Sequence, residues 1–410
     1  MDIVILGAGH AGVQAADSLR EEGVEGRIVL VERDLALPYQ RPPLSKDGLA
    51  GGLDPLPLRG AEWYGDRGVE LRLGVEALGI DVDARKVVTS AGTIAYDELV
   101  LATGAAARPF GGPGAGLRGV HALRTASDAS ALRDALETAS RAVVIGAGYI
   151  GLEFAAVAAA RGLDVTVVAR SGRILRRSAS APVAARLASG LKGLGARLAL
   201  GSTPVELVAD ASGEAVAGVR LESGELLPAD LVVVGIGIAE PGHLAAAAGF
   251  DEPSGVRVDA EFRTSAPGVR AIGDLAVFPS PLDGAMIRVE SVQHAGDSAR
   301  CVARSIAGRG SAYDATPWFW SVQGGLKLQT AGIVGEGRDL VVRGDLEGKF
   351  SVFAFEGSRL ASVESIASPA DHLAGRALVA AGGGGLTREQ AADPGFDLRG
   401  FAKGLAAPAA

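Results

Sequence analysis

Apolar residues along this chain collect into short unbroken runs, set between segments with helical periodicity. "DIVIL" (residues 2–6), "RIVLV" (27–31), "ELVLA" (98–102), "RAVVI" (141–145) and "DVTVVA" (164–169) are almost wholly apolar after their first residue. Such runs predict strands of a parallel sheet covered on both faces. "VQAADSLREEG" and "LEFAAVAAARG" carry apolar residues at helical spacing between pairs of these runs. The pattern is strand, helix, strand, and it predicts an α/β fold. "GVRAIGDLA" (268–276) adds another strand, and "GDSARCVARSIAG" is helical. Past residue 313 the pattern changes: "FSVFAFEG" and "RLASVESI" read as paired strands. "AAGGGGLTREQ" reads as a flexible loop before a last short helix, with Thr387 as its N-cap.

Two of the strand–helix junctions are glycine loops of one design. The first is Gly7-x-Gly9-x-x-Gly12, followed by a helix and a strand that ends at Glu32. The first glycine permits a tight turn, the second lets backbone approach a pyrophosphate, and the third lets helix and strand pack closely. The helix N-terminus presents free N–H groups to the phosphates, and Glu32 is placed to accept hydrogen bonds from a ribose. The second loop is Gly146-x-Gly148-x-x-Gly151, again between strand and helix. One such unit suggests a dehydrogenase. Two suggest two dinucleotides with electrons passing between them, and FAD with a nicotinamide nucleotide is the usual pair. "LATGA" puts the small residues Ala102, Thr103 and Gly104 at a strand end where backbone can approach a ligand, and "AIGDLA" puts Gly273 and Asp274 at another.

Composition narrows the classes. The chain has 410 residues, 48% hydrophobic and 21% charged, enough for two or three domains. No run of about 18 apolar residues appears, so no membrane span is expected. The chain reads as a strand from residue 2, and a cytoplasmic location is expected. One cysteine, Cys301, allows neither an intrachain disulfide nor a redox pair, and a buried inert thiol is expected. Histidines at 10, 121, 243, 294 and 372 lack ligand spacing, so no metal site is expected. The net charge of −8 argues against nucleic acid as a partner. That charge is uneven: residues 141–200 hold nine basic and two acidic residues, a balance of +7 that leaves −15 elsewhere. The basic region is either a solvated face or a surface for an anionic ligand or acidic protein.

The ordered motifs "VILGAGHAG", "LPYQRPPLSK", "LVLATGA", "VVIGAGYIGLEFAA", "AIGDLA", "RVESVQHAGDSAR" and "PWFWSVQGGLKLQTAG" span nearly the whole chain. Together they resemble the FAD-dependent NAD(P)H:ferredoxin reductases of bacterial oxygenase systems, such as the putidaredoxin, rubredoxin and biphenyl dioxygenase reductases. "RPPLSK" with "ESVQHA" is far more specific than the glycine loops. The resemblance implies two Rossmann-like domains of glutathione-reductase type plus a C-terminal α+β domain. The FAD domain would be residues 1–108 and 234–312, the nicotinamide domain 109–233, and the C-terminal domain 313–410, covering the flavin.

The resemblance also implies site residues. Lys46 and Glu153 would meet beside the flavin N5, where a cation stabilises a reduced, anionic flavin. Glu153, two residues after Gly151, is expected in the first turn of its helix, pointing at the nucleotide. Arg41 would face the FAD pyrophosphate, Glu290 and Val292 would lie along the flavin pyrimidine ring, and Trp320 near the flavin edge where nicotinamide stacks. Ile150 and Gly235 would complete the nicotinamide-nucleotide site with Gly146, Gly148 and Gly151. Electrons would pass to a [2Fe-2S] ferredoxin serving a cytochrome P450 or a ring-hydroxylating dioxygenase, and the protein would be a monomer or weak homodimer.

Three departures stand out. "WSVQGG", with Val322 and Gly324-Gly325, stands where relatives often read "WSDQ" with an acid. His294 stands where Asn is common, as a packing histidine or one titrating near neutral pH. At the place equivalent to Glu32, "VTVVARSGR" offers Ala169 and Arg170. Without a carboxylate to repel a 2′-phosphate, Arg170 with Arg176 or Arg177 could bind one, which leans toward NADPH; the alternative keeps NADH, with Arg170 stacking on adenine. An NAD(P)H oxidase, a nitrite-reductase-type flavin subunit and a non-enzymatic flavin-binding signalling protein remain as other readings.

Overall fold

The computed structural model describes residues 1–51, 55–239, 244–245, 248–250 and 254–406; His243 lies outside them. The chain divides into two compact units, the first made of residues 1–40, 55–106 and 238–317, the second of 41–54, 107–237 and 318–410.

In the first unit the strands Val269–Ala271, Glu98–Leu101, Asp2–Leu6, Arg27–Val31 and Val69–Arg72 form one parallel sheet in that order. Residues 3–6 and 28–31 are buried without alternation, as the apolar runs predict. Helices His10–Glu21 and Val292–Ile306 pack on each other. His294 is fully buried, its ring 4.5 Å from that of Phe278 and within 9° of parallel. Burial pulls its pKa down to about 4, so it is a neutral packing residue at physiological pH. Cys301 is also buried, and burial pushes its thiol up to about 11, which leaves it inert.

The second unit repeats the device with Arg197–Leu200, Asp164–Ala169, Arg141–Ile145, Leu231–Val234 and Val120–His121 in one parallel sheet. The same unit contains an antiparallel sheet of Trp318–Gln323, Leu326–Gly332, Arg359–Ile366, Phe350–Glu356 and Asp339–Gly344, in that order. Its strands from "FSVFAFEG" and "RLASVESI" pair as expected. Gly324 and Gly325, φ +54° and +82°, make the two-residue hairpin between the first two strands. Both need positive φ, which explains the double glycine. Thr387 caps Arg388–Ala392 in a capping box with Gln390. That helix is not the last: Leu398–Ala406 follows it, an element the sequence reading missed. Among the described residues no helix is long and apolar enough to cross a membrane.

Glu364, on strand Arg359–Ile366 of this second unit, is 1% exposed. Both its oxygens accept the Ser180 N–H at 3.0 Å, at the otherwise uncapped start of helix Ala181–Gly193. Burial pushes its carboxyl up to about 7, opposed by Ser180 and the Arg173 charge. A carboxyl raised in the folded state stabilises the fold fully below its ordinary value of 4.5 and loses that contribution as pH rises through 7. Wild type should therefore lose roughly 3 kcal/mol relative to Glu364→Gln between those limits. Denaturant unfolding of both proteins across pH 4.5–8 measures this, and a pH-independent difference would contradict it.

Candidate functional site

The first glycine loop stands at the carboxyl ends of its strands. Gly7 has φ +96°, and a Cβ there would lie 2.5 Å from the Ala102 carbonyl oxygen. A Cβ on Gly12 would lie 1.9 Å from the Gly7 carbonyl oxygen, whereas one on Gly9 meets nothing within 4 Å. The first and third glycines are thus closed by backbone, and the second opens on space. Gly9 is the N-cap of His10–Glu21, which has no side-chain cap and no acid in its first turn. Its leading N–H groups suit a pyrophosphate.

Glu32 accepts the Ala8 N–H at 2.8 Å and the Asp34 N–H at 3.2 Å, bracing the loop. A carboxylate has further lone pairs, enough to accept ribose hydroxyls as well. Thr103 and Gly104 continue the turn after Ala102, with Gly104 at φ +65°. Gly273 faces the first turns of both helices: its Cβ would lie 3.1 Å from Ala11 Cβ and 3.9 Å from Ala295 Cβ. Asp274 follows it in the short turn Gly273–Leu275. Glu290 is exposed and pairs with Arg288 at 3.4 Å, and Val292 opens the helix capped by the Ser291 hydroxyl. The glycine loop, Glu32, Thr103 and Gly273 thus come together at the carboxyl ends of these strands in a cradle that fits a dinucleotide.

The second loop repeats the arrangement. Gly146 has φ +107°, with a Cβ position 2.3 Å from the Gly235 carbonyl oxygen. A Cβ on Gly151 would lie 2.9 Å from the Gly146 oxygen, and one on Gly148 meets only the Gly235 oxygen at 3.8 Å. Gly148 caps helix Tyr149–Ala160, again without a side-chain cap or first-turn acid. Ile150 is exposed on its first turn. The cradle fits a second dinucleotide.

Here no carboxylate braces the loop, because Ala169 holds the place of Glu32. Instead the Leu175 N–H donates to the Ala147 carbonyl at 3.0 Å, with Leu175 at φ +49°. The Tyr149 hydroxyl donates to Ser178 O at 2.7 Å, and Arg173 donates to Ala179 O and Arg176 O. This ordered loop displays Arg170, Arg176 and Arg177, all exposed. Arg176 pairs with Glu336 at 3.1 Å. Arg170 and Arg177 form no ion pair among the described residues. Arg141 and Arg161 of the basic region pair with Asp230 and Glu137, so part of that charge is neutralised locally.

Lys46 and Glu153 meet: Nζ lies 2.8 Å from Glu153 Oε2. Lys46 follows the turn Pro42–Ser45, whose prolines fix its opening, and this segment with Arg41 belongs to the second unit. Arg41 donates to Arg124 O at 3.3 Å. Glu153 is not in the first helical turn as expected. The helix begins at Tyr149, so Glu153 is its fifth residue, 3% exposed. Its other partners are hydroxyls that the sequence reading missed: Ser45, a short contact to Oε2, and Ser321, 2.6 Å from Oε1. Both lie inside quoted motifs, but nothing in a linear pattern marks them as facing Glu153. Trp320 alternates with Ser321 along its strand and so faces the opposite way, with Trp318, whose ring is 5.8 Å distant.

Two glycine cradles on two parallel sheets, each open at its second glycine, define a two-dinucleotide α/β oxidoreductase. Family comparison agrees: residues 1–299 match the pyridine nucleotide-disulphide oxidoreductase family and 318–402 the reductase C-terminal domain. The chain belongs to the pyridine nucleotide-disulphide oxidoreductases, and its cofactors are FAD and a nicotinamide nucleotide. It is 45% identical to rhodocoxin reductase of Rhodococcus erythropolis, over 97% of this chain and 94% of that one. The crystal structure of the ferredoxin reductase for the CYP199A2 system from Rhodopseudomonas palustris matches with a TM-score of 0.94 at 43% identity, over 98% of this chain and 99% of that one. The reductase in the covalent putidaredoxin reductase–putidaredoxin complex also gives 0.94, at 34% identity over 99% of each chain.

The two open glycines make a direct test. Gly148→Ala has φ −86° and free space, so its Tm and FAD content should stay near wild type. Its nicotinamide-nucleotide Kd should rise roughly tenfold to a hundredfold, because the methyl occupies the pyrophosphate approach. Gly151→Ala should instead lower Tm by several degrees. Thermal denaturation and calorimetric titration separate the two, and an unchanged Kd in Gly148→Ala would remove the cradle assignment.

Proposed function

We propose that this protein passes electrons from NAD(P)H through FAD to a small iron–sulfur protein, a [2Fe-2S] ferredoxin that serves a cytochrome P450 or a ring-hydroxylating dioxygenase. The observation that carries the reading is the pair of matched cradles, with FAD assigned to the Gly7 loop and the nicotinamide nucleotide to the Gly146 loop. The likeness to redoxin and ferredoxin reductases along nearly the full chain supports the acceptor class. Disulfide reduction, the chemistry in the family's name, lacks a redox cysteine here: Cys301 is alone and buried. FAD, held by the Gly7 loop, would supply the conversion from two-electron hydride chemistry to one-electron transfer.

The protein's own task is then orientation and electrostatics. In this reading residues 1–108 with 234–312 hold FAD, 109–233 hold the nicotinamide nucleotide, and 313–410 form the covering domain. Glu32 accepts the ribose hydroxyls, Arg41 balances the pyrophosphate, and Asp274 accepts from the ribityl chain. Glu290 and Val292 present backbone to the pyrimidine ring, and Trp320 guards the nicotinamide position. Lys46, held by Glu153, supplies the positive charge beside N5. The cytoplasm is the compartment proposed, where both nicotinamide nucleotides are available.

The same reading includes NADPH use. Ala169 removes the carboxylate that would repel a 2′-phosphate, and the exposed Arg170 and Arg177 supply bidentate donors near that strand end. Anaerobic stopped-flow reduction of the bound flavin, with NADH and NADPH titrated separately, tests donor and reading together. The expected result is rapid reduction, with the lower Kd for NADPH. Arg170→Ala with Arg177→Ala should raise the NADPH Kd roughly tenfold to a hundredfold and leave NADH nearly unchanged. Equal losses for both nucleotides would refute the phosphate role, and no reduction by either would refute the reductase.

A further inference from the structure

We propose that Ser321 is a positioning residue for the Lys46–Glu153 pair, and that the C-terminal sheet thereby sets where the Lys46 charge stands. The inference rests on the reading above, in which that charge acts on the flavin.

Ser321 lies on Trp318–Gln323, an edge strand of the antiparallel sheet, and this strand packs against helix Tyr149–Ala160. Phe319 on the same face lies 4.6 Å, ring to ring, from Tyr149. Ser321 and Gln323, 1% and 3% exposed, are buried beside it. The Gln323 amide Nε2 donates to Ser321 Oγ at 3.3 Å. A serine hydroxyl has a single proton. With Oγ already accepting from Gln323, that proton is directed to Glu153 Oε1, 2.6 Å away.

The opposite carboxylate oxygen is then left for Ser45 and Lys46. Glu153 is therefore fixed in rotation by donors on both oxygens, from two segments far apart in sequence. Lys46 is a flexible cation whose Nζ has two other contacts, the Pro42 carbonyl at 3.0 Å and Ser45 Oγ at 3.4 Å. Neither is charged. The direction of Nζ is thus governed by Oε2, and Oε2 is governed by the grip of Ser321 on Oε1. A buried carboxylate oxygen deprived of its donor reorients to find another, and the cation follows it.

The test compares Ser321→Ala, Ser321→Thr and Gln323→Leu with wild type. Anaerobic stopped-flow gives the limiting rate of flavin reduction and the nucleotide Kd, and spectroelectrochemistry gives the flavin midpoint potential. Ser321→Ala should lower the limiting rate about tenfold, shift the potential negative and leave the nucleotide Kd unchanged. Ser321→Thr, which keeps the hydroxyl, should restore both values. Gln323→Leu should shift both in the same direction by less, and it carries the test if Ser321→Ala fails to retain FAD. In a Glu153→Gln background Ser321→Ala should add nothing to either quantity. Wild-type rate and potential in Ser321→Ala, equal behaviour of the Ala and Thr variants, or a full additive loss in the Glu153→Gln background would overturn the proposal. Lys46→Gln separates the two levels. If it leaves rate and potential unchanged, the flavin-side role of the pair is wrong. If it changes them while Ser321→Ala does not, only the role of Ser321 is wrong.

Discussion

The structure depends on backbone meeting backbone where no side chain fits. Gly7 against Ala102 and Gly146 against Gly235 are two such places at the strand ends, each with a Cβ position 2.5 Å or less from a carbonyl oxygen. Each contact brings the end of one strand, the turn that leaves it and the end of the neighbouring strand together. The third glycine then lets the helix close down on the turn. Only after these approaches do the helix N-termini stand over the sheet edge with their N–H groups uncapped. The dinucleotide cradles are a consequence of the packing, and the second glycine is the one position that packing leaves open.

A second constraint is electrostatic. Glu153 is a buried carboxylate, and burial of a charge is costly unless it is paired and its oxygens receive hydrogen bonds. Lys46, Ser45 and Ser321 meet that requirement from segments more than 100 residues away on either side. The C-terminal sheet is thus tied into the nucleotide-binding part of its unit by polar contacts as well as by apolar packing. Glu364 repeats the tactic from another strand of that sheet, accepting the Ser180 N–H at the start of a helix. The two glutamates differ in company: Glu153 has a lysine in contact, whereas Glu364 forms no ion pair among the described residues, and its carboxyl is pushed up by burial.

Periodicity made the parallel strands legible, because runs such as "DIVIL" and "RAVVI" are apolar on both faces and admit few other structures. The glycine loops were legible too, since their spacing encodes a local turn. The partners of Glu153 were not. Ser45 and Ser321 look like ordinary strand and turn residues, and their convergence on one carboxylate is a tertiary fact. The position of Glu153 was misplaced by one turn, because counting from Gly151 ignores that the helix already begins at Tyr149. The double glycine at 324–325, which looked like a departure from relatives, has a local cause in its positive-φ hairpin. The helix Leu398–Ala406 was missed because its "LRGFAKGLA" carries two glycines that weaken the helical signal.

The repeated device also shows how one scaffold can be stabilised in two ways with different outcomes for the ligand. In the first unit Glu32 braces the loop through the Ala8 N–H, and in the proposed reading its remaining lone pairs accept the ribose hydroxyls. In the second, the brace is the Leu175 N–H on the Ala147 carbonyl, with Arg173 and Tyr149 holding the connecting loop in shape. Relieved of the structural task, the strand end needs no carboxylate, and Ala169 suffices. A residue that serves folding and recognition together cannot change without harming one of them. Here the two tasks are divided: residues 173–175 and 149 order the loop, while Arg170 and Arg177 are left exposed at its surface. In the proposed reading, nucleotide preference can then be altered at those exposed positions without disturbing the cradle assigned to the pyrophosphate.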